Sequence, residues 1–179
     1  MEIRELDLSG VFEIIPRIFY DERGHFFESY NKDTFDKLGF KTQFVQDNQS
    51  FSKRGVVRGL HLQKPPFSQI KLVRVFSGTV LDVIVDCRKE SKTFGKHLSI
   101  EVSAKKNNMI YIPEGFAHGF SAIDDAVFQY KCSKIYNKAA EAGIHPLDGE
   151  LNIDWIVKER IFSNKDLLLP SFNEFISEF

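Results

Sequence analysis

The chain has 179 residues, 42% of them hydrophobic and 27% charged, which suits one soluble globular domain over residues 1–179 with a substantial core. The formal net charge of −1 provides no overall positive field, which disfavours nucleic-acid binding by counterion release. No apolar run approaches the roughly 20 residues of a membrane-spanning helix. The charged start, Met1–Asp7, lacks the apolar core of a signal peptide. We therefore expect a cytoplasmic protein that binds neither nucleic acid nor a membrane.

The first forty residues predict short strands and one helix. A strand is expected at Val11–Ile15, between a glycine and a proline. Asp21–Gly24 is a turn signal, after which Phe26-Phe27 is expected to open the next strand. Asn31 can cap a helix over Lys32–Leu38, which a glycine ends.

Polar side chains are concentrated between Gly55 and Lys71, where they alternate with apolar β-formers. In an extended strand successive side chains point to opposite faces, so Arg58 is expected to face away from His61, while Gln63 shares the face of His61. Histidine, amide and cationic groups converging from adjacent strands predict a site for an anionic, oxygen-rich ligand. The alternative is a polar strand edge with one buried histidine.

The rest of the chain is dominated by β-patterns separated by turn residues. A polar strand or loop is expected over residues 43–52, and from about 137 to 152 the regular pattern stops. Trp155–Val157 is a further short element, and residues 165–179 carry at most a short helix. The predicted strands are Leu72–Phe76, Thr79–Val85, His97–Val102, Met109–Ile112, one that starts near Phe116, and Ala126–Cys132. The first two of these, with Ser77-Gly78 between them, predict a hairpin. Strands at this spacing predict an all-β sandwich or barrel.

The cysteines and histidines do not have the spacing of a metal site. Cys87 and Cys132 are isolated, and we expect reduced thiols on strands. A metal site in a β-barrel usually has two histidines one residue apart, but Gln63 occupies that place after His61, and His118 has no neighbouring ligand in the sequence. No metal is therefore expected.

The remaining candidate groups suit proton transfer at a carbon atom. No glycine-rich phosphate loop and no Gly-x-Ser-x-Gly motif is present, which disfavours P-loop and acyl-transfer chemistry. A neutral His61, oriented by a carboxylate, could remove a proton next to a carbonyl, and Lys71 could stabilise the resulting enolate oxygen. Tyr130 or Tyr136 could return a proton from the opposite side, inverting the centre. For Tyr130 the alternative is a core tyrosine with a satisfied hydroxyl.

Several longer motifs, spread from about residue 10 to Asp166, point to one family. They are Asp21–Glu28, Gln46–Ser52, Val57–Gln63, Gln69–Val73, Ile112–Phe120, Tyr130–Tyr136 and Ser163–Asp166. In these motifs the chain resembles the dTDP-4-dehydrorhamnose 3,5-epimerase family of the dTDP-L-rhamnose pathway. The resemblance implies a cupin-type jelly roll with short peripheral helices, no metal or other cofactor, and a homodimer that exchanges an N-terminal strand.

The resemblance also implies roles for individual residues. His61 matches the catalytic base, Asp166 the carboxylate paired with it, Tyr130 the general acid, and Lys71 the residue near the sugar C4 carbonyl. The implied substrate-binding set is Arg58 and Lys165 at the diphosphate, Tyr136 stacked on thymine, Gln46, Asp47, Asn48, Gln63, His118 and Glu141 along the substrate, and Arg23, Phe26 and Glu28 from the neighbouring subunit.

The implied reaction inverts C3 and C5 of dTDP-4-dehydro-6-deoxy-D-glucose, whose C4 ketone acidifies both protons. Two alternatives remain. One is an enzyme that inverts only C3 or only C5 of a related 4-keto sugar nucleotide, and the other is a non-catalytic sugar-binding barrel. Ile70, Lys138 and His145-Pro146 depart from the family pattern, so the nucleoside end and the 137–150 loop are the least defined parts of this expectation.

Overall fold

The computed structural model describes all residues from Met1 to Phe179, and almost all of its regular structure is β. Two antiparallel sheets pack against each other as a jelly-roll sandwich. The six-stranded sheet has the order β1 (Glu2–Glu5), β2 (Phe12–Ile15), β10 (Met109–Ile112), β7 (Lys71–Ser77), β12 (Ala126–Cys132) and β5 (Gln46–Ser52). The five-stranded sheet has the order β13 (Glu141–Gly143), β6 (Val57–Gln63), β11 (Phe116–Ala122), β8 (Thr79–Asp86) and β9 (His97–Ser103).

The peripheral elements are short. Strands β3 (Phe19–Asp21) and β4 (Gly24–Phe26) form a hairpin that pairs only with itself. Helix α1 spans Lys32–Lys37, and the Asn31 side chain accepts a hydrogen bond from the Thr34 N–H at 3.1 Å, which confirms the predicted cap. Two 3₁₀ turns follow β12, at Lys138–Ala140 and Asp166–Leu168. None of these helices has the length and apolar character needed to cross a membrane.

Apolar side chains pack between the two sheets and also against the outer face of each sheet. The core between the sheets includes Val73 and Phe128 from one sheet and Ile84 from the other. A second cluster covers the outer face of the five-stranded sheet, where Trp155 is completely buried against Leu60 and Val83. Helix α1 covers part of the outer face of the other sheet through a third cluster. Because β8 is apolar on both faces, a polar side chain on this strand needs a specific partner.

The predicted hairpin between residues 72–76 and 79–85 is wrong. Strand β7 pairs with β10 and β12, whereas β8 pairs with β9 and β11 in the opposite sheet. Only Gly78 separates the two strands, which is too short for a two-residue hairpin loop. Gly78 has φ +77°, and a Cβ there would lie 2.2 Å from the Asp125 carbonyl oxygen. The chain therefore bends sharply at Gly78 and crosses from one sheet to the other.

The expectation that Arg58 faces away from His61 is also wrong. His118 pairs with His61 and Phe120 pairs with Arg58, so β6 has one residue more than β11 between these two positions. This β-bulge falls at Gly59, whose φ is +128° and whose Cβ would lie 2.5 Å from the Gly119 Cα. The extra residue reverses the alternation, and Arg58 and His61 both line the same cavity.

Smaller differences concern strand ends. Phe26 ends β4 and does not open a strand, and Trp155–Val157 forms no strand but packs Trp155 into the core. The 137–152 region contains one 3₁₀ turn and the short strand β13. Cys132 ends β12, Cys87 directly follows β8, and both thiols are free and buried.

Candidate active site

A cavity of about 680 Å³ opens between the two sheets. The five-stranded sheet contributes β6 and β11, the other sheet contributes β5, β7 and β12, and the 161–166 segment closes one side. The chemically active side chains that line the cavity are Asn48, Ser50, Arg58, His61, Lys71, His118, Tyr130, Ser163, Lys165 and Asp166. Phe120 and Phe128 form an apolar wall, their rings stacked with centroids 4.3 Å apart.

A histidine and a carboxylate form a close pair at one side of the cavity. His61 Nε2 lies 2.7 Å from Asp166 Oδ1, and the His61 side chain is 35% exposed while that of Asp166 is 5% exposed. Burial alone would raise the pKa of Asp166, but the hydrogen bond and charge of His61 and the Gly59 N–H offset it and hold this pKa below its usual value. An ionised Asp166 keeps the proton on Nε2 and leaves Nδ1 free to accept another.

Tyr130 faces this pair from the opposite sheet. It lies on β12, whereas His61 lies on β6, and both side chains line the cavity. The Tyr130 hydroxyl has no hydrogen-bond partner in the protein, which argues against a core tyrosine with a satisfied hydroxyl. Burial raises the pKa of Tyr130, the charge of Cys132 adds to this, and Arg58 opposes it. The phenol therefore stays protonated at neutral pH and can donate.

Lys71 provides a cation at the floor of the cavity. Its Nζ donates to the His61 carbonyl oxygen at 3.4 Å and lies 5.8 Å from the centroid of the Tyr130 ring. Burial lowers the pKa of the Lys71 ammonium, and the nearby charges of Cys132 and Asp82 oppose this effect. An ammonium between base and acid is well placed to stabilise negative charge on a substrate oxygen.

A second histidine–carboxylate pair lies beside the first. His118 is the direct cross-strand partner of His61, and its Nε2 lies 2.7 Å from Asp82 Oδ1. Both side chains are buried, with Asp82 completely inaccessible. His118 is one of the predicted substrate-binding residues, whereas Asp82 was not predicted from the sequence. A lone carboxylate inside the apolar run of β8 was the available signal, because buried carboxylates need partners.

Two cations and a chain of hydrogen bonds surround the opening of the cavity. Arg58 donates to Ser52 Oγ at 3.0 Å and to the Phe51 carbonyl at 3.2 Å. Lys165 donates to Glu141 at 2.6 Å, and Glu141 also accepts from the Tyr136 hydroxyl at 2.7 Å. The bond to Glu141 raises the pKa of Lys165.

The same chain continues along the cavity edge to Asn48. Gln46 accepts from the Tyr136 N–H at 2.8 Å and donates to Asn48 at 3.0 Å. Asn48 and Lys165 line the cavity directly, whereas Gln46, Tyr136 and Glu141 lie at its edge and connect them. The structure thus brings these predicted residues together around one opening.

Two predicted substrate-binding residues lie away from the cavity. Asp47 alternates with Asn48 along β5, so its exposed side chain points to the outer face of the sheet and binds Lys131 at 3.0 Å. Gln63 is buried, donates to the Phe67 carbonyl and accepts from the Asn137 N–H at 2.7 Å, so it ties two loops together. Within the chain both side chains make structural contacts, and their substrate contacts stay predictions.

Three other predicted residues, Arg23, Phe26 and Glu28, lie in or just after the β3–β4 hairpin and do not line the cavity of their own chain. Arg23 pairs with Asp21 at 2.5 Å, and Phe26 is 72% exposed. Glu28 accepts hydrogen bonds from Asn31 and Thr34 at the start of α1. Their positions leave the Arg23 and Phe26 side chains at the surface.

No three histidine, cysteine or carboxylate side chains come together in an arrangement that could hold a metal ion. The polar side chains that line the cavity are acids, bases, cations or hydrogen-bond partners suited to an oxygen-rich ligand.

Comparison with known proteins identifies close relatives. The family model for dTDP-4-dehydrorhamnose 3,5-epimerase matches residues 5–174. The chain is 46% identical over 169 residues to the Shigella flexneri protein named dTDP-4-dehydrorhamnose 3,5-epimerase, covering 93% of each chain. The crystal structure of a Legionella pneumophila 3,5-epimerase in complex with dTDP-4-keto-L-rhamnose superposes with a TM-score of 0.94 at 40% identity, covering 99% of this chain and 95% of that one. A Streptomyces niveus protein named dTDP-4-dehydrorhamnose 3-epimerase is 40% identical over 168 residues, covering 93% of this chain and 81% of the relative.

Proposed function

Because the chain belongs to the dTDP-4-dehydrorhamnose 3,5-epimerase family, whose members are sugar-nucleotide isomerases, we propose that it inverts C3 and C5 of dTDP-4-dehydro-6-deoxy-D-glucose to give dTDP-4-dehydro-L-rhamnose. The observation that carries this proposal is the cavity itself. It presents a carboxylate-oriented base on one sheet, an unpartnered phenol on the other, and an ammonium between them.

The first half of each inversion is proton removal. His61, held through Nε2 by Asp166, accepts the carbon-bound proton next to the C4 ketone. The electron pair moves onto the C4 oxygen to form an enolate. Lys71 stabilises this oxygen, a contribution typically worth about 3 kcal/mol for one well-placed donor.

The second half is proton delivery. Tyr130 gives its hydroxyl proton to the same carbon from the opposite face, the enolate electrons return to that carbon, and the C4 ketone is restored with the centre inverted. Solvent then returns a proton to the Tyr130 phenolate and removes one from His61. After the sugar ring flips, the same base and acid act on the other carbon.

The charged opening suits the nucleoside diphosphate. Arg58 and Lys165 are exposed cations that line the cavity, and guanidinium and ammonium groups bind phosphate oxygens well. Tyr136 is 48% exposed at the edge, where its ring can stack on thymine. His118, Asn48 and the edge residues Gln46 and Glu141 then lie along the substrate.

We further propose that the protein acts as a homodimer in which the β3–β4 hairpin reaches the neighbouring subunit. The hairpin pairs with no other strand of its own chain and exposes 52% of Phe19, 74% of Tyr20 and 72% of Phe26. Exposed aromatic residues of this kind mark an interaction surface. The dimer would bring Arg23, Phe26 and Glu28 to the partner's cavity, and light scattering that finds a fully active monomer would contradict it.

We propose that the protein is cytoplasmic. Both of its cysteines are free, and the reducing cytoplasm is the compartment that keeps cysteines as thiols. Fractionation of cells that express the tagged protein tests this localisation, and recovery of the protein outside the cytoplasmic fraction would contradict it.

The second candidate function is inversion at C3 alone, favoured by the 40% identity to the Streptomyces niveus 3-epimerase. The two candidates predict different products from the same substrate. Incubation with dTDP-4-keto-6-deoxyglucose in deuterated water, followed by proton NMR, separates them. Deuterium and inversion at both carbons support the 3,5-epimerase, and a product inverted only at C3 supports the alternative. The absence of deuterium exchange at both carbons would contradict both candidates and support a non-catalytic sugar-binding barrel.

A further inference from the structure

The guanidinium of Arg58, the one arginine that lines the cavity, is held by two uncharged oxygen atoms. Its Nε donates to Ser52 Oγ at 3.0 Å, and its Nη2 donates to the Phe51 carbonyl oxygen at 3.2 Å. Both acceptors lie at the end of β5 in the six-stranded sheet, whereas Arg58 lies on β6 in the other sheet. The two hydrogen bonds therefore fix the guanidinium where the two sheets meet at the cavity.

The neutral acceptors leave the charge of Arg58 available. Lys165, the other exposed cation of the cavity, already pairs with the Glu141 carboxylate at 2.6 Å. The partners of Arg58 are instead a hydroxyl and a carbonyl group. A cation that is oriented without a counter-ion can bind an anionic ligand without first giving up an ion pair, and little side-chain entropy is lost on binding.

The side chain of Ser52 is buried, and its contact with Arg58 is its one hydrogen bond within the chain. Ser52 is 2% exposed, and its Oγ accepts from Arg58 Nε. Ser52 is not among the residues that line the cavity, so this contact is its route to a bound ligand. Burying a hydroxyl group costs free energy unless it is hydrogen-bonded, and an alanine would fill nearly the same space without that cost.

We propose that Ser52 is a positioning residue for substrate binding. Its buried hydroxyl, together with the Phe51 carbonyl group, holds the Arg58 guanidinium in the orientation that receives the diphosphate of the sugar nucleotide. The effect on substrate binding rests on the proposed function. The restraint on the Arg58 side chain is a property of the folded chain alone.

The first test uses Ser52→Ala, which removes the acceptor of Arg58 Nε and frees the long side chain. We expect KM for the 4-keto sugar nucleotide and Kd for dTDP to rise about 5- to 20-fold, with kcat at saturation within about twofold of the parent. In an Arg58→Met background the same substitution should change Kd for dTDP by less than about twofold, because Ser52 then has no guanidinium to hold. Calorimetric titration with dTDP and steady-state kinetics provide both measurements.

Ser121→Ala is the matched control. Ser121 is also buried, and its Oγ donates to the Trp155 carbonyl oxygen at 2.7 Å, but it does not line the cavity or contact Arg58. This variant should lower the melting temperature and leave KM and Kd unchanged. If Ser52→Ala behaved in the same way, with a lower melting temperature and an unchanged Kd for dTDP, the proposal would be overturned.

A measurement without any ligand separates this proposal from the proposed function. NMR of protein labelled with ¹⁵N in its arginine side chains follows the Nε–H of Arg58, with Arg58→Met used to assign the signal. Its exchange with water should be about tenfold faster or more in Ser52→Ala than in the parent, because the hydrogen bond that protects it is lost. Equal exchange rates in parent and variant would overturn the proposal.

A parent protein that protects this Nε–H in a Ser52-dependent way but turns over no sugar nucleotide would contradict the proposed function alone. If Ser52→Ala does not fold, Ser52→Cys provides the same comparison, because it keeps the shape of the side chain and replaces the hydroxyl oxygen with a weaker acceptor.

Discussion

Two carboxylates on strand β8, Asp82 and Asp86, are equally buried but have opposite surroundings. Asp86 accepts hydrogen bonds from Arg88 at 2.8 Å and 2.9 Å, and from Ser91 and Thr93 at 2.6 Å each. Asp82 has one bond, to His118, and an oxygen without a partner. The loop after β8 thus satisfies the Asp86 carboxylate completely, whereas one carboxylate oxygen of Asp82 stays without a partner in the interior. This difference distinguishes a structural carboxylate from one that serves a site.

The same contrast extends across the cavity. The Tyr130 hydroxyl and one ring nitrogen each of His61 and His118 have no partner in the protein, and all three residues line the same space. Polar groups that line a cavity and are left without partners by folding are the ones that a substrate can bind.

Among the buried carboxylates, the largest effect on activity is expected for Asp166→Asn. The variant keeps the volume of the side chain but no longer fixes the proton on Nε2 of His61, so the base loses its preferred tautomer. We expect kcat to fall about 100-fold or more, with a melting temperature within a few degrees of the parent. Steady-state kinetics and thermal unfolding measure both. A variant with parent activity would remove Asp166 from the mechanism.

A stability effect without an activity effect is expected for Asp86→Asn. Burial alone would raise the pKa of Asp86, but the bonds from Arg88, Ser91 and Thr93 outweigh it and hold the pKa at about 2. The lowered pKa means that Asp86 stabilises the fold above about pH 4 and that this contribution is lost as the pH falls toward 2. The loss corresponds to about 2 kcal/mol of unfolding free energy.

Urea unfolding of both proteins across this pH range provides the measurement. The variant should be less stable than the parent at pH 7, and the gap should close near pH 2. Turnover under folded conditions should match the parent. A large loss of kcat under conditions in which the variant is fully folded would show that Asp86 affects the cavity.

No effect is expected from metal removal. The predicted mechanism uses only protein acids, bases and cations, so prolonged dialysis against EDTA should leave kcat unchanged. Activity that is lost on dialysis and restored by zinc or iron would show that a metal takes part.

Much of the sandwich could be predicted from the sequence, because β-patterns and turn residues are local signals. The capped helix after Asn31 and most strand positions agree with the structure. The partners of β7 and β8 could not be predicted from the sequence. A glycine between two strands is compatible both with a hairpin and with a bend that carries the chain to the other sheet. Pairing of distant strands is decided by the packing of the whole sandwich.

The site shows the same division. Motifs in the sequence identified His61, Lys71, Tyr130 and Asp166, and the structure brings all four to one cavity. The face of β6 to which the Arg58 side chain points depends on the bulge at Gly59. The prediction assumed that side chains alternate strictly between the two faces of a strand, and a bulge breaks that alternation. Asp82 gave only a weak signal, because a single polar residue in an apolar strand does not reveal its partner.

The central claim, that His61 removes the proton and Tyr130 returns one, is tested most directly by solvent deuterium incorporation. Proton NMR follows dTDP-4-keto-6-deoxyglucose in deuterated water with Tyr130→Phe and with His61→Asn. With Tyr130→Phe, His61 can still form the enolate, so deuterium should enter at C3 or C5 with the configuration largely retained. With His61→Asn, both exchange and inversion should be abolished. Inversion by Tyr130→Phe at the parent rate, or exchange by His61→Asn, would contradict the account.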